Sequence, residues 1–540
     1  MNRFHTHAVD NQPPPFVSRD LWQGDAALRE ALAREGGEGF TDAVAAYGAL
    51  AGGEILALSH DAHRDRPRLR THDAAGHRID AVEFHPAYHR IMELAIGHGV
   101  AGLSWARPEP GAHVARAALA YLHYQAEPGT SCPLTMTHAA VPVLRQAPAL
   151  RDWVAKVAAC RYDPRDAPVG DKPGVTLGMG MTEKQGGSDV RANTTTATPA
   201  ADGAHALVGH KWFMSAPMSD GFLVLAQAPG GLGCLLMPRR LPDGTRNAFA
   251  LMRLKDKLGD WSNASSEVEF QGALAWPVGE PGRGVATILQ MVMLTRLDCM
   301  LGSAGCMRMA LAQAVHHARH RSAFGRRLAE QALMRNVLAD IAIEAEAALA
   351  LSMRVARAVD AAARDPSEAA FARIATAIGK YWICRRAPAV VNEAQECLGG
   401  AGYVEESLLP RLYRQAPLNS IWEGSGNIQC LDVLRALSRE PATAAALRDA
   451  IDAARGQHPA MDAAAAGLPD LLANATEAGA RRLVERLALA LQAAVLLRAG
   501  SPAAEAFCRS RLAGDHGGAM GTLPAGVDHA ALVARALPAG

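Results

Sequence analysis

The chain has 540 residues, of which 49% are apolar and 20% are charged. At roughly 100–200 residues per domain this length corresponds to three or four globular domains, and the composition excludes a disordered chain, a fibre and a small disulfide scaffold. Basic and acidic residues number 55 and 54, for a net charge of +1, so any binding of nucleic acid would depend on a local patch.

The N-terminal segment, residues 1–24, is polar and punctuated by prolines. Because proline runs exclude helix, we expect an extended arm that is either loose or lies on a neighbouring subunit. From Asp25 to about Asp166 the spacing of apolar residues predicts helices, among them Ala87–Ile96 and His113–Gln125.

A change of pattern near Gly174 predicts a β domain, in which short apolar runs alternate with turn signals. The predicted strands are His205–Ser215, Gly221–Ala226, Leu232–Met237 and Glu267–Ala275. After Gly284 the helical period returns, with long segments at Thr287–His320, Gln331–Ala362 and Ser367–Cys397. Alternating βα units are absent, which argues against a Rossmann sheet.

The resulting organisation is α, β, α, followed by an extra helical tail. The expected boundaries are an arm at 1–24, a helical domain at 25–173, a β-barrel domain at 174–285, a helical bundle at 286–440 and a C-terminal helical domain at 441–540. No run of 18 uncharged apolar residues occurs, so the sequence predicts no membrane-spanning segment.

Nine cysteines form no CxxC pair and no zinc-spaced cluster with histidine. This spacing predicts reduced thiols, a cytoplasmic location and no metal site. The histidines within 85–89 and 316–320 are expected at surfaces or interfaces rather than as metal ligands.

Three segments could carry chemistry. The first, 179–190, has hydroxyls on both sides of a double glycine and could bring backbone N–H groups to a polar ligand, although an ordinary strand-to-turn segment has the same features. The second, 209–215, sets an aromatic beside a hydroxyl, which also occurs in plain core packing. The third, 419–428, places Glu423 in a glycine-rich turn, either as a base whose pKa is raised by burial or as a helix N-cap.

The order and spacing of these segments resemble the acyl-CoA dehydrogenase family. The matching motifs are Thr182–Val190, Lys211–Ser215, the helix end Arg321–Gly325, the turn Leu398–Tyr403 and the turn Ile421–Ser425, supported by Lys257–Gly259, Thr295-Arg296 and Arg411–Arg414. The wording of the first and last motifs, the Asn11-Gln12-Pro13 arm and the helical tail resemble the AidB-like branch, bacterial flavoproteins of the adaptive response to DNA alkylation.

The resemblance implies a fold of N-terminal helical domain, central β-barrel and C-terminal helical bundle, with FAD shared across a subunit interface of a homotetramer. By motif position, the implied flavin and phosphate contacts are Met181, Thr182, Gly187 and Ser188, with Phe213 and Ser215 at the ring. Arg321, Phe324 and Leu328 would reach the FAD of a neighbouring subunit. Glu396 and Gly400 would lie at the adenine, and Ser425 and Asn427 at the pyrophosphate.

In chemistry, the resemblance implies that Glu423 removes the α-proton of an acyl-CoA while the flavin takes the β-hydride. Lys184-Gln185, Phe213, Met293 and Gln415 depart from the family pattern, which indicates a remodelled substrate cleft and weak dehydrogenation. Two alternatives stay open: an ordinary acyl-CoA dehydrogenase of fatty-acid or branched-chain catabolism, and an oxidase on the same fold.

The branch also implies sequence-independent DNA binding by the C-terminal tail. The candidate residues are Arg481, Arg482, Arg486 and Arg498. Glu477, Glu485 and Glu505 interleave with them, so a self-paired, solvated helix surface is an equal alternative. Phosphate contacts alone would give salt-sensitive binding without a base-reading motif.

Overall fold

The computed structural model describes residues 6–16 and 19–537. The chain divides into two compact units, each built from segments that are distant in sequence. The helical unit comprises Met1–Glu35, Met300–Ile421 and Gln429–Gly540, and the mixed unit comprises Gly36–Cys299 and Trp422–Ile428. The short second segment of the mixed unit carries Glu423.

The described residues form α-helices and strands along the whole chain. The helices are α1 (Ala26–Arg34), α2 (Thr41–Leu50), α3 (Leu56–Arg64), α4 (Pro86–Gly97), α5 (Leu103–Ala106), α6 (Ala112–Ala126), α7 (Ser131–Leu144), α8 (Arg151–Ala158), α9 (Gly284–His320), α10 (Ala332–Ala361), α11 (Pro366–Glu396), α12 (Leu409–Gln415), α13 (Gly426–Arg439), α14 (Pro441–Asp452), α15 (Pro459–Ala473), α16 (Ala480–Arg498), α17 (Ala504–Phe507) and α18 (His529–Ala536). The strands are β1 (Arg68–His72), β2 (Arg78–Glu83), β3 (Leu177–Gly180), β4 (Thr196–Pro199), β5 (His205–Ser215), β6 (Gly221–Ala228), β7 (Gly231–Pro238), β8 (Phe249–Leu254), β9 (Ser265–Val278), β10 (Ser322–Ala323) and β11 (Arg326–Arg327).

The strands of the mixed unit close into a barrel, as the sequence predicts. Neighbours pair in the order β6, β4, β5, β9, β7 and back to β6, with β3 added beside β6 and β8 beside β9. Their inward residues, among them Leu207, Met214, Phe222 and Phe270, form one buried cluster. Short apolar runs between turn signals identified these strands in the sequence, and bulges interrupt the pairing of β5 with β9.

The prediction of an all-helical segment from Asp25 to Asp166 is wrong at one place, because β1 and β2 form an antiparallel hairpin there. The Asp73 carboxylate accepts hydrogen bonds from the backbone N–H groups of Ala75 and His77, and Gly76 has a φ of +86°. An Asx-type turn closed by glycine favours a hairpin over a helix.

Long helices form the core of the helical unit. Helix α10 packs against α11, α16 and α18, and α11 packs against α14 and α16. Helix α9 is long and apolar enough to cross a membrane, with a mean hydropathy of 1.4, but 72% of that window is buried within the protein, as in a soluble core helix.

Both ends of the described chain are fixed to the helical unit. Arg535 of α18 donates to the Glu30 carboxylate of α1 and to Glu346 of α10, at 2.6 and 2.9 Å. The N-terminal arm is not loose, because Asn11 and Pro14 bond to residues 316–322 of the same chain. The partners, the His316 ring and the Ser322 backbone, lie 302 and 311 positions away along the chain, so the sequence pattern could not reveal them.

Candidate active site

A buried ion pair joins the glycine-rich loop after β3 to strand β5. The Lys211 ammonium lies 2.7 Å from the Glu183 carboxylate, and neither side chain is exposed. Burial would raise the pKa of Glu183, but hydrogen bonds from Lys211, Thr195 and the Thr194 backbone lower it to about 2. Burial lowers the pKa of Lys211, which Glu183 opposes. The pair fixes the loop to strand β5.

Backbone contacts bring two of the predicted segments together. The Trp212 N–H donates to the Thr182 carbonyl at 2.8 Å, and the Lys184 N–H donates to the His210 ring at 3.0 Å. Met181 and Thr182 are half-buried and Ser188 is exposed. These bonds set the loop alongside the strand that carries Phe213 and Ser215.

The loop has no room for a larger residue at Gly187. A Cβ there would lie 2.3 Å from Thr182 Oγ1 and 3.1 Å from its methyl carbon. On the adjoining strand, the Phe213 ring is 48% exposed although apolar, and Ser215 is half-buried. A hydroxyl, a glycine and an exposed ring next to one another suit a flat ligand with a polar edge.

Glu423 occupies a strained turn and is bonded through both backbone and side chain. Its φ is +58°, which is uncommon for a residue with a Cβ. The Thr295 hydroxyl donates to Glu423 Oε2 at 2.6 Å, and the Arg296 guanidinium donates to the Glu423 carbonyl at 3.0 Å. The carboxylate is half-buried and held in one orientation. Sequence analysis noted Thr295-Arg296 as a motif match without assigning it this contact.

The helix that holds Thr295 is itself anchored by a buried charge cluster. Asp298, one turn further along α9, receives two guanidinium N–H groups of Arg116 from α6 and the Thr135 hydroxyl from α7. Arg116 also donates to the Val100 carbonyl at 2.8 Å. Three helices of the mixed unit are therefore tied together beside the residue that bonds the carboxylate.

Two further predicted residues share the Glu423 segment: Ser425 and Asn427 are both exposed. Gly424, between the carboxylate and these residues, has a φ of +95°. The segment therefore presents polar side chains on both sides of a sharp turn.

In the helical unit, Arg321 precedes a two-residue hairpin in which Ser322 pairs with Arg327. Phe324 and Gly325 form its tip with φ values of +55° and +73°, typical of a type I′ turn. The Phe324 ring is 97% exposed, whereas Leu328 is half-buried. The apolar ring is therefore presented to solvent at the tip of a tight turn.

Glu396 ends α11, and Gly400 lies in the turn that follows it. Both are exposed. Like-charge repulsion from Glu396 adds to burial in raising the pKa of Glu393. These two positions share the helical unit with Arg321.

The arginines of the C-terminal tail lie on α16. Arg481, Arg482, Arg486 and Arg498 are all exposed, the last of them in the final turn of the helix. The expected pairing with glutamates is only partly present, because Glu505 instead pairs with His458 at 3.3 Å. Within the described part of the chain, Arg482 and Arg486 form no ion pair.

Comparison with known proteins covers nearly the whole chain. Residues 11–164 match the N-terminal domain of the adaptive response protein AidB, 178–273 match the middle domain of acyl-CoA dehydrogenases, and 282–438 match their C-terminal domain. AidB of Escherichia coli (strain K12) is 48% identical over 515 residues, 94% of this chain and 95% of that protein.

Solved structures show the same architecture. Caenorhabditis elegans ACDH-11 in complex with C11-CoA superposes with a TM-score of 0.86 at 26% identity, covering 94% of each chain. A Bacillus anthracis acyl-CoA dehydrogenase complexed with FAD has a TM-score of 0.64 at 17% identity, covering 84% of each chain. FAD, the cofactor expected from the sequence, agrees with this family. The chain belongs to the acyl-CoA dehydrogenase family, in the branch represented by AidB.

Proposed function

We propose that the chain is an FAD-containing, acyl-CoA dehydrogenase-like flavoprotein of the AidB type that dehydrogenates an acyl-CoA weakly, with Glu423 as base. The turn at Glu423 carries this proposal. Its left-handed backbone persists because Thr295 and Arg296 fix the carboxylate and the carbonyl, and such strain concentrates at active sites. The acyl-CoA class is further supported by the C11-CoA in the C. elegans relative.

The residues present fit FAD as its ligands. The narrow space at Gly187 and the half-exposed Phe213 ring are the observations that support this fit. The residues that would hold FAD are Met181, Thr182, Gly187, Ser188, Phe213, Ser215, Glu396, Gly400, Ser425 and Asn427, with Arg321, Phe324 and Leu328 reaching the FAD of a neighbouring subunit. When bound, FAD supplies the hydride acceptor that oxidation of a CH–CH bond requires.

Glu423 would receive the α-proton on a carboxylate oxygen. Thr295 can form a hydrogen bond whether that carboxylate is charged or protonated. The Thr295 hydroxyl has one hydrogen and two acceptors in reach, Glu423 Oε2 at 2.6 Å and the Val292 carbonyl at 3.0 Å. It can donate to the charged carboxylate before proton transfer and to Val292 afterwards. The Thr295 hydroxyl thus orients Glu423 and keeps a hydrogen-bond acceptor when the carboxylate becomes protonated.

Anaerobic titration with short, branched and long acyl-CoAs tests this function, with the visible flavin band as readout. We expect the band of the wild type to bleach slowly with one class of thioester. Glu423→Gln should keep the yellow colour and fail to bleach, because the amide cannot take the proton. Equal bleaching by both proteins would contradict the assignment of the base. Peroxide formation would instead favour the oxidase alternative.

We also propose a second function, sequence-independent binding of double-stranded DNA in the response to DNA alkylation. Exposed arginines on α16 that lack ion pairs, Arg482 and Arg486, favour this function over a self-paired surface. Burial raises the pKa of the Tyr381 phenol. The charges of Arg481 on α16 and Arg385 on α11 both oppose this rise. Arg385 is exposed on α11, Glu485 acts on the same phenol with the opposite sign, and Arg498 lies at the far end of α16.

DNA affinity measured against salt concentration tests the patch. Changing Arg481, Arg482 and Arg486 to Gln should weaken binding and flatten the salt slope by about 3. A matched control changes Arg64, Arg151 and Arg161, exposed arginines of the mixed unit, and should leave the slope nearly unchanged. Equal losses in both triple variants would show that net charge, not this patch, binds DNA. Absence of any DNA affinity in the wild type would leave an ordinary catabolic dehydrogenase.

A cytoplasmic homotetramer is the assembly that we propose for these functions. The nearly fully exposed Phe324 ring at a tight turn supports a contact with another chain. Light scattering should give four chains per particle, and Phe324→Ser should shift that value downward. A stable monomer in the wild type would contradict this assembly.

A further inference from the structure

Asn11 of the N-terminal arm bonds to the backbone of the hairpin that follows α9. Its amide Nδ2 donates to the Ser322 carbonyl at 2.8 Å, and the Ser322 N–H donates to Asn11 Oδ1 at 2.7 Å. The Asn11 carbonyl in turn accepts a hydrogen bond from the Arg321 guanidinium at 2.8 Å. One arm residue therefore contacts both the backbone of the hairpin and the side chain at its start.

The hairpin leaves an open edge at this place. Arg321 accepts from the Leu328 N–H and Ala323 pairs with Arg326, so antiparallel geometry turns the N–H and carbonyl of Ser322 away from β11. The N–H and carbonyl of Ser322 at this edge therefore need partners outside the hairpin. A side-chain amide has both the donor and the acceptor that they require. Asn11 adopts a φ of +51° in doing so, which asparagine tolerates better than most residues.

Contacts of the residues that follow Asn11 hold the arm in place. His316 of α9 donates from Nε2 to the Pro14 carbonyl at 2.8 Å, its Nδ1 accepts from Arg19 at 3.0 Å, and Phe16 packs edge-on against its ring. Asn11 is thus presented by a segment that is fixed at a second point. The arm is therefore bonded to the helical unit at two points, His316 and Ser322.

We infer that Asn11 is a positioning residue for the FAD site. It holds the Arg321 guanidinium and the Phe324 tip in the orientation that receives the cofactor of a neighbouring subunit. This inference rests on the proposed function, in which Arg321 and Phe324 contact FAD. Arg321 is a long, flexible side chain, and fixing its orientation in advance reduces the ordering required when the ligand binds.

The test measures the FAD dissociation constant of apoprotein by flavin fluorescence. Asn11→Ala should weaken FAD binding roughly tenfold, as expected for lost hydrogen bonds. Asn11→Asp keeps the acceptor but not the donor and should weaken binding as well. Gln12→Ala, at the exposed neighbouring position, is the control and should bind FAD like the wild type.

A double-mutant cycle separates positioning from general stability. In an Arg321→Ala background, Asn11→Ala should have little additional effect on FAD affinity, because its action passes through Arg321. An equal loss in both backgrounds, or unchanged affinity in Asn11→Ala, would overturn the inference. Failure of the wild type to bind FAD would overturn the proposed function itself, and the wild-type titration alone reveals that result.

Discussion

At Gly187 the absence of a side chain avoids a collision with Thr182. A Cβ would lie 2.3 Å from Thr182 Oγ1 and 3.2 Å from Thr182 Cβ, so alanine would displace a β-branched residue whose own rotamers are few. We expect Gly187→Ala to weaken FAD binding about tenfold or more while leaving the unfolding midpoint nearly unchanged, because displacing one flavin contact costs roughly a hydrogen bond. The measurement is FAD titration of apoprotein.

The control for this change is Gly39→Ala, since a Cβ at Gly39 would meet no atom within 4 Å. The two variants differ only in whether the added methyl collides. If Gly187→Ala bound FAD as tightly as Gly39→Ala, the loop would not be the phosphate or flavin contact that we propose.

Thr295 offers a second test at the scale of one residue. Thr295→Val preserves shape but removes the donor to Glu423 Oε2. We expect the rate of flavin bleaching by acyl-CoA to fall by about tenfold, because the base loses the bond that orients it. Thr295→Ser keeps the hydroxyl and should recover most of the rate. Equal rates in the valine and serine variants would assign Thr295 a packing role only.

Between loop and strand, Glu183 and Lys211 form a buried ion pair beneath the candidate flavin site. Replacing one partner leaves the other charged and unpaired in the interior, which costs about 3–5 kcal/mol. Lys211→Met should therefore lower the free energy of unfolding by that amount, measured by urea denaturation. Lys184→Met, at an exposed position of the same loop, should change it by less than about 0.5 kcal/mol.

The double variant Glu183→Leu with Lys211→Met tests whether the ion pair itself stabilises the loop. Removing both charges avoids the unpaired state, so the double variant should be more stable than Lys211→Met alone. A double variant that is less stable than either single variant would show that polar contacts to Thr194 and Thr195, rather than the pair, support the loop.

Short apolar runs between turn signals identified the strands of the barrel. Strand β5 has the predicted bounds His205–Ser215, although its buried residues Leu207, Lys211 and Met214 do not alternate strictly, because the pairing with β9 is interrupted by bulges. The sequence pattern does not predict the hairpin at 68–83, because five of its eleven strand residues are charged and only Asp80 and Val82 are buried. Its only readable signal was the turn from Asp73 to Gly76.

Motif resemblance located Glu423, but its geometry could not be predicted. The hydroxyl that bonds it belongs to a residue 128 positions earlier, and no local pattern encodes a contact at that separation. The same holds for Asn11 and Ser322, which are 311 positions apart. Local periodicity specifies elements, whereas tertiary contacts between distant segments create the site.

For the molecule as a whole, buried histidines predict the response to acid. Burial in the helices of the mixed unit lowers the pKa of His123 to about 4 and that of His138 well below its ordinary value. His123 bonds through both ring nitrogens, to Tyr47 at 2.7 Å and to Thr130 at 2.8 Å. A neutral ring satisfies both contacts, since one nitrogen accepts from the phenol and the other donates to the hydroxyl.

The sign of the pH effect follows from proton uptake. Above pH 6.5 both folded and unfolded chains carry neutral His123, so this residue contributes no pH dependence. As pH falls from 6.5 towards 4, His123 binds a proton in the unfolded chain before it does so in the folded chain. The free energy of unfolding therefore falls by about 3 kcal/mol through His123 alone. We expect the urea midpoint to decline steadily between pH 6.5 and 4.5. His123→Gln should be less stable at pH 7 but show a shallower decline, whereas the exposed His60→Gln should follow the wild type. Parallel declines in all three proteins would place the acid sensitivity elsewhere.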